Sequence, residues 1–334
     1  MSSRGFAELR RLGAIAVPAL VLGHAAHADM LHDHDNGPLT GFFGVPDSSE
    51  GAAVLDKGTS RWGAMLLAAN HSALDERNGE SITLDGETTR LELTYRRGIR
   101  PGLEIGVELP ILWHETGGLD PLVDEWHDVL GMSGGFRKRR DYGQLEFLFT
   151  DAAGTQVDFG QNSNGLGDAR LFAGWQLASG PLHNVALRFG VKLPTGDSRK
   201  LLGSGGTDIS VGLAGDKKNV LHIERLSAGY RASAILIGEP DLLEDRHKDI
   251  VGHIALGLGY DVTERIELRL QGAFRSPLVE ADVEPLGDPS ITLTFGGKFR
   301  VGRRFQLSAA VTEDVKVRSA PDVAFQLTLN YEPR

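Results

Sequence analysis

"TRLELTYRRGIRPGLEIGVELPI" (Thr89–Ile111) alternates apolar and polar residues on both sides of a tight turn. Leu91, Leu93 and Tyr95 share one face; Arg90, Glu92, Thr94 and Arg96 share the other. Past Gly98–Gly102 the scheme returns, with Leu103, Ile105, Val107 and Leu109 against Glu104, Gly106 and Glu108. A period of two marks half-buried strands, and two such runs across a short link predict a β-hairpin. This hairpin has one greasy side and one charged side. The fold turns on which of them meets water.

The same alternation recurs along the chain. It predicts strands at Arg61–Asn70, Thr88–Arg97, Leu103–Trp113, Gly167–Ala178, Asn184–Leu193 and Thr207–Gly215. It continues at Leu226–Ile237, Ile250–Asp261, Arg265–Arg275, Ser290–Val301, Arg304–Thr312 and Val323–Tyr331. Each run is close to the roughly 9–11 residues that a tilted transmembrane strand needs. The links alternate short and long. Gly98–Gly102, Ser179–His183, Asp216–Arg225, Val262–Glu264 and Gly302–Arg303 are short; His71–Glu87, His114–Leu166, Pro194–Gly206, Gly238–Asp249, Ser276–Pro289 and Glu313–Asp322 are long. Short turns at one end and long loops at the other characterise outer-membrane barrels. By parity Trp62, Tyr95, Trp113, Trp175, Tyr260, Phe274, Phe299, Phe305 and Tyr331 fall on the apolar face near strand ends. There they would form the two aromatic girdles of such a barrel. The expected fold is all-β: a single up-and-down antiparallel transmembrane β-barrel of about 12 strands, with a short helix and a hairpin in one long loop.

The chain has 334 residues and no cysteine, so an exported form holds together without disulfides. Arg4, Arg10 and Arg11 precede the apolar run Leu12–Gly23, and "AHA" (Ala26–Ala28) follows as a small-x-small site. Residues 1–28 read as a secretory signal peptide cleaved near Ala28. Cleavage removes three Arg and Glu8, moving the net charge from −10 to −12. That balance argues against nucleic acid. No later apolar run is long enough for a transmembrane helix, a test that a barrel strand escapes. The expected layout is a periplasmic N-terminal segment at 29–59 and an outer-membrane barrel at 60–334. Residues 114–166 would form a long outer loop or partial plug. The expected partners are outer-membrane lipid, the barrel-assembly machinery, periplasmic chaperones and a possible small solute.

Several stretches bear a resemblance. They include "GFFGVP" (Gly41–Pro46), "LDGETTRLEL" (Leu84–Leu93), "EWHDVLGM" (Glu125–Met132) and "GLGDARL" (Gly165–Leu171). "KLPTGDSRKLLGSGGTDI" (Lys192–Ile209), "GDPSITLTFGG" (Gly287–Gly297) and "APDVAFQLTLNY" (Ala320–Tyr331) complete the set. Together they resemble a family of uncharacterised Gram-negative exported proteins, a domain of unknown function expected to form outer-membrane barrels. "GLGD" and "LPTGD" are also similar to pieces of barrels for uptake of hydrophobic compounds. The resemblance implies a fold and a location, the Gram-negative outer membrane. It implies no reaction, cofactor or site residue.

In a barrel the polar parity points inward. The expected charged lumen is lined by Arg90, Glu92, Glu104, Glu108, Asp168, Arg170, Arg188, Lys192, Asp208, Glu267, Arg269, Lys298 and Arg300. Such groups either select solutes in a wet pathway or fill a narrow lumen with ion pairs. Within His114–Leu166, Leu122, Trp126 and Val129 have helical spacing behind Asp120 and Pro121, an N-cap and first-turn pair. "YGQLEFLFT" and "TQVDF" predict a hairpin around Asp151–Gly154. "HDHD" (His32–Asp35) and "DEWHD" (Asp124–Asp128) read as solvated charge rather than metal sites. "NHSALD" (Asn70–Asp75) places His71 beside Ser72, but neighbours on a strand face opposite ways, so no catalytic pair is expected. The favoured reading is a channel or passive transporter for small solutes. The alternatives are a barrel lipid hydrolase, a non-conducting structural barrel and a soluble periplasmic β protein.

Overall fold

The structure is a computed structural model. It describes residues 30–34, 36–47, 49–130, 142–315 and 321–333. The expected signal peptide and its cleavage site lie outside the described residues. Fifteen strands form one sheet. They are β1 (Ser60–Arg77), β2 (Glu80–Arg100), β3 (Leu103–Glu115), β4 (Glu146–Asp151) and β5 (Gly154–Phe159). Then come β6 (Ser163–Leu166), β7 (Arg170–Ser179), β8 (His183–Lys192), β9 (Asp208–Lys218) and β10 (Leu226–Leu236). The last are β11 (Ile250–Asp261), β12 (Ile266–Arg275), β13 (Ser290–Val301), β14 (Phe305–Asp314) and β15 (Val323–Tyr331). Helix α1 (Asp120–Leu130) lies in the longest connection.

Twelve strands close on themselves: β1–β2–β3, then β7 to β15 in order, then back to β1. The seam pairs Trp62–Asn70 with Val323–Tyr331, antiparallel and unbroken. Closure leaves the barrel wall without an edge, so every strand finds its hydrogen bonds inside the sheet. The remaining three strands stand at the long-loop end. β4 pairs Glu146–Thr150 with Asp85–Ser81 of β2, β5 pairs with β4, and β6 pairs with Ile111–His114 of β3. The expected hairpin around Asp151–Gly154 is the β4–β5 pair, and the expected helix is α1.

One expected loop is not a loop. Residues 71–87 continue β1 and β2 in register, Ser60↔Arg97 through Arg77↔Glu80. The turn is Asn78–Gly79, with φ of 49° and 87°. Positive φ at both central residues is what a two-residue type I′ hairpin demands, and Asn-Gly supplies it cheaply. At about 3.4 Å per residue, an 18-residue strand runs roughly 60 Å, well beyond a hydrocarbon core about 30 Å thick. The hairpin therefore projects past the barrel rim. The β9–β10 link is also shorter than expected, because β9 runs on to Lys218.

Burial is inverted relative to a soluble sheet. On the opening hairpin Leu93, Ile105 and Leu109 are exposed, whereas Arg90, Glu92, Arg96, Glu104 and Glu108 are buried. The pattern holds around the barrel: Leu171, Ile209, Ile254, Leu256, Leu270, Leu293 and Leu327 face outward. Trp62, Trp175, Tyr260, Phe274, Phe299 and Phe305 are exposed near strand ends. Trp62 meets Tyr95 at a tilt with ring centroids 4.4 Å apart, and Phe305 stacks on Tyr331 at 4.9 Å. An apolar outer band with aromatic rims is the surface a bilayer requires.

Candidate functional site

The lumen wall is built by alternation. Each strand turns every second residue inward, and this chain puts charge there. Arg90 donates to Glu92 at 3.0 Å and lies 3.7 Å from Glu108. Arg96 and Arg188 converge on the same oxygen of Glu104, from strands on either side of it. Lys192 sits between Asp168 at 3.0 Å and Asp208 at 3.1 Å. Arg269 lies 2.6 Å from Glu267. Lys298 is buried, and Arg300 is half-buried with a hydrogen bond to the Glu264 carbonyl. All thirteen residues expected in the lumen are thus on the inward face, twelve of them buried. Small residues make room for the long ones. A Cβ on Gly174 would meet Arg188, and one on Gly190 would meet Arg170.

The space inside the wall is filled by the N-terminal segment. Where a periplasmic segment is expected at 29–59, the described residues between 30 and 55 contact inward-facing side chains of the barrel wall. The segment passes the β12 and β15 walls first. Leu31 N–H donates to Gln271 at 3.0 Å, the Gln271 amide donates back to Leu31 O, and Gln326 donates to His32 O. Asp33 lies 3.2 Å from His253. The chain then rises to the loop end, where Asn36 donates to Thr88 O at 2.8 Å. It turns back with Gly44 N–H on Asp208 at 2.7 Å. Glu50 carries one oxygen against Arg170 and the other 3.3 Å from Arg231. Arg188 takes the Gly51 carbonyl, Gln176 brackets Ala52 O and Val54 N–H, and Leu55 N–H donates to Glu104 at 2.8 Å. Gly58 and Thr59 bond Gly98 at the turn end and lead into β1.

The segment's charges are tuned by this setting. Burial alone would raise the Glu50 carboxyl, but Arg170 and Arg231 outweigh it and hold the group at about 2. For His32, burial works against charging; Asp47 at 3.2 Å, then Glu92 and Glu108, reverse this and raise it to about 9. Asp47 is held well below the usual carboxylate range: burial opposes ionisation, and His32 overcomes it. Within "HDHD", His32 and Asp33 are therefore not solvated charge but are paired inside the lumen, and Asp35 lies outside the described residues.

Two regions grip the segment. The mid-barrel belt is polar. At the loop end Leu39, Phe42 and Phe43 enter an apolar cluster with Ile82, Phe147, Phe149, Ile235, Val251, Leu278 and Leu286. Within the 114–166 excursion, β4 supplies Phe147 and Phe149 to this cluster. His71 is part of the same construction. Thr88 Oγ1 lies 3.0 Å from His71 Nε2 and 3.0 Å from His114 Nδ1, and both imidazoles meet Phe147 edge-on. Cavities remain around the segment. One lies toward the turn end, between Met30–His32, Glu50 and the β1, β2 and β13–β15 walls. Another lies beside Asp33, His253 and Arg275, and another between Phe42–Val45 and Arg90, Arg170 and Lys192.

Arg231, Glu50, Gln176 and Gln271 are missing from the residues singled out in the sequence. Arg231 had a signal, for it shares parity with Ser227 and Ser233 on a predicted strand. Glu50 had none locally, because only the wall arginines explain it.

A closed barrel with a lipid-facing exterior and a charged interior defines the class as an outer-membrane β-barrel. A family model described as a protein of unknown function (DUF3187) matches residues 22–332, and the chain belongs to that family. No curated protein matches it. Among solved structures, the COG4313 outer-membrane channel from Pseudomonas putida F1 aligns with a TM-score of 0.55 at 13% identity, over 84% of this chain and 98% of that one. The NanC porin aligns at 0.45 and 8% identity, over 82% of this chain and 99% of its own. The CymD monoaromatic hydrocarbon channel aligns at 0.38 and 12%, over 89% and 97%. At these identities the likeness is one of fold.

Proposed function

We propose that the protein is an outer-membrane channel for small solutes, held shut in this conformation by residues 30–55. The carrying observation is how the segment is held at mid-height. It is fixed there by hydrogen bonds and ion pairs to inward side chains, with cavities left beside it. Polar contacts can be exchanged for water or solute at little net cost, whereas a packed apolar core cannot. A lumen meant only to be filled needs no such cavities. The wall residues from Arg90 to Arg300 would then set the field that a passing solute feels. The leader at 1–28 would direct export, with periplasmic chaperones and the barrel-assembly machinery as partners, and lipid around the band.

The test is current through purified protein in planar bilayers. Rare openings are expected of the native chain. Long-lived openings are expected of Glu104→Gln, which loosens the anchor of Leu55, Arg96 and Arg188. Silence from both, with barrels folded by heat-modifiable gel mobility, would favour a structural barrel.

A further inference from the structure

We propose that Arg96, Arg170, Arg188 and Arg231 form a binding site for small carboxylate anions, which Glu50 occupies as a built-in ligand while the barrel is shut. The inference rests on the channel reading and names the class of its solute. Without the segment, four arginines face two wall carboxylates, Glu104 and Glu108, an excess of two positive charges. With the segment withdrawn, water or an anion takes over the hydrogen bonds of Glu50, and the surplus of positive charge favours the anion. Its carboxylate shows the chemistry: one oxygen against Arg170 Nη1, the other 3.3 Å from both terminal nitrogens of Arg231.

Glu50 does not use all that the site offers. Arg170 is 4% exposed, yet its Nε and Nη2 have no hydrogen-bond partner among the described residues. That edge lies over Gly190 on the β8 wall, so an anion in the place of Glu50 is held through Arg170 Nη1 and the terminal nitrogens of Arg231. Glu50 and Arg96 line the cavity that extends to Arg61 and Asn330 at the turn-end strand termini, and Arg170 lines the one beside Phe42–Val45.

The chain has no native cysteine, so Ala52→Cys, two residues from Glu50, reports release of the segment through its labelling rate with neutral N-ethylmaleimide. Ala52 is buried, and slow labelling is expected. Adding Glu50→Ala should speed labelling tenfold or more. Acetate at tens of millimolar should slow it again by filling the vacated position; methylammonium chloride at equal ionic strength should not. Arg231→Gln in that background should abolish the acetate effect. In bilayers, Glu50→Ala should carry anions in preference to cations. Labelling that ignores acetate, or a cation-preferring current, overturns the carboxylate site and leaves the channel reading standing. Acetate-sensitive labelling with no current from any variant supports the site and removes the channel reading.

Discussion

At the loop end, Leu39, Phe42 and Phe43 are held by packing against Phe147, Phe149 and Leu278. Lower down, Glu50, Gly51 and Leu55 of the same segment are held by Arg170, Arg231, Arg188 and Glu104. Apolar burial is non-directional and indifferent to protonation. Charge-assisted hydrogen bonds are directional, can be competed by solutes and depend on pH. The apex of the segment is therefore an anchor, and its returning limb is a latch.

The largest effect should come from breaking the latch at its most buried point. Glu104 is fully buried and serves Arg96, Arg188 and Leu55 N–H. Glu104→Ala leaves two buried guanidinium groups without their carboxylate and should cost about 3–5 kcal/mol. A lowered denaturation midpoint by heat-modifiable mobility checks it; an unchanged midpoint would mean that water already serves these arginines. Phe43→Ala tests the anchor. Truncating a buried Phe costs roughly 3 kcal/mol at the lower end of its range. The loss should be the same in low and high salt, and a strong salt dependence would erase the distinction between the two grips.

A smaller effect follows from pH. His32 is raised in the folded protein from 6.5 to about 9, so its pairing with Asp47 contributes fully below about 6.5 and is lost as pH rises through 9. Glu50 is depressed to about 2, so its contribution is present above about 4.5 and fades as pH falls toward 2. Closure should be firmest between these limits. Labelling at Ala52→Cys, corrected for thiol ionisation, should rise several-fold from pH 6.5 to 9.5, and a His32→Gln variant should show no such rise. The least effect lies far from both grips. Gly79 holds φ of 87°, and Gly79→Ala should cost about 1 kcal/mol without altering labelling.

Period-two alternation was enough to read the twelve wall strands and the inward side of each, because one face of a membrane strand meets lipid along its whole length. It failed where that condition lapses. In Ala69–His71 and Glu87–Thr88 consecutive residues are buried, since both faces of the projecting hairpin are covered there. Only Asn78–Gly79 marked the turn. Lumen pairings were less legible still. Arg188 on β8 and Glu104 on β3 are separated by β7, and Arg231 is 181 residues from Glu50. Such partners follow from barrel diameter and from the chain inside, neither of which is a local property. The N-terminal segment carried one overlooked sign: "PLTGFFGVP" (Pro38–Pro46) is too apolar for a strand of chain left in water.

The seam between β1 and β15 has a consequence for biogenesis. Residues 30–55 precede every strand, and a short run through Gly58 and Thr59 ties them to the base of β1. Whatever order the other strands follow, pairing Trp62–Asn70 with Val323–Tyr331 seals this piece of chain in or shuts it out. Inside, it brings carbonyls and a carboxylate to guanidinium groups that would otherwise line the lumen without them. A chain lacking residues 30–55 would have to wind itself around a hollow of unbalanced positive charge. The segment proposed to gate the channel would then also be a former for its construction.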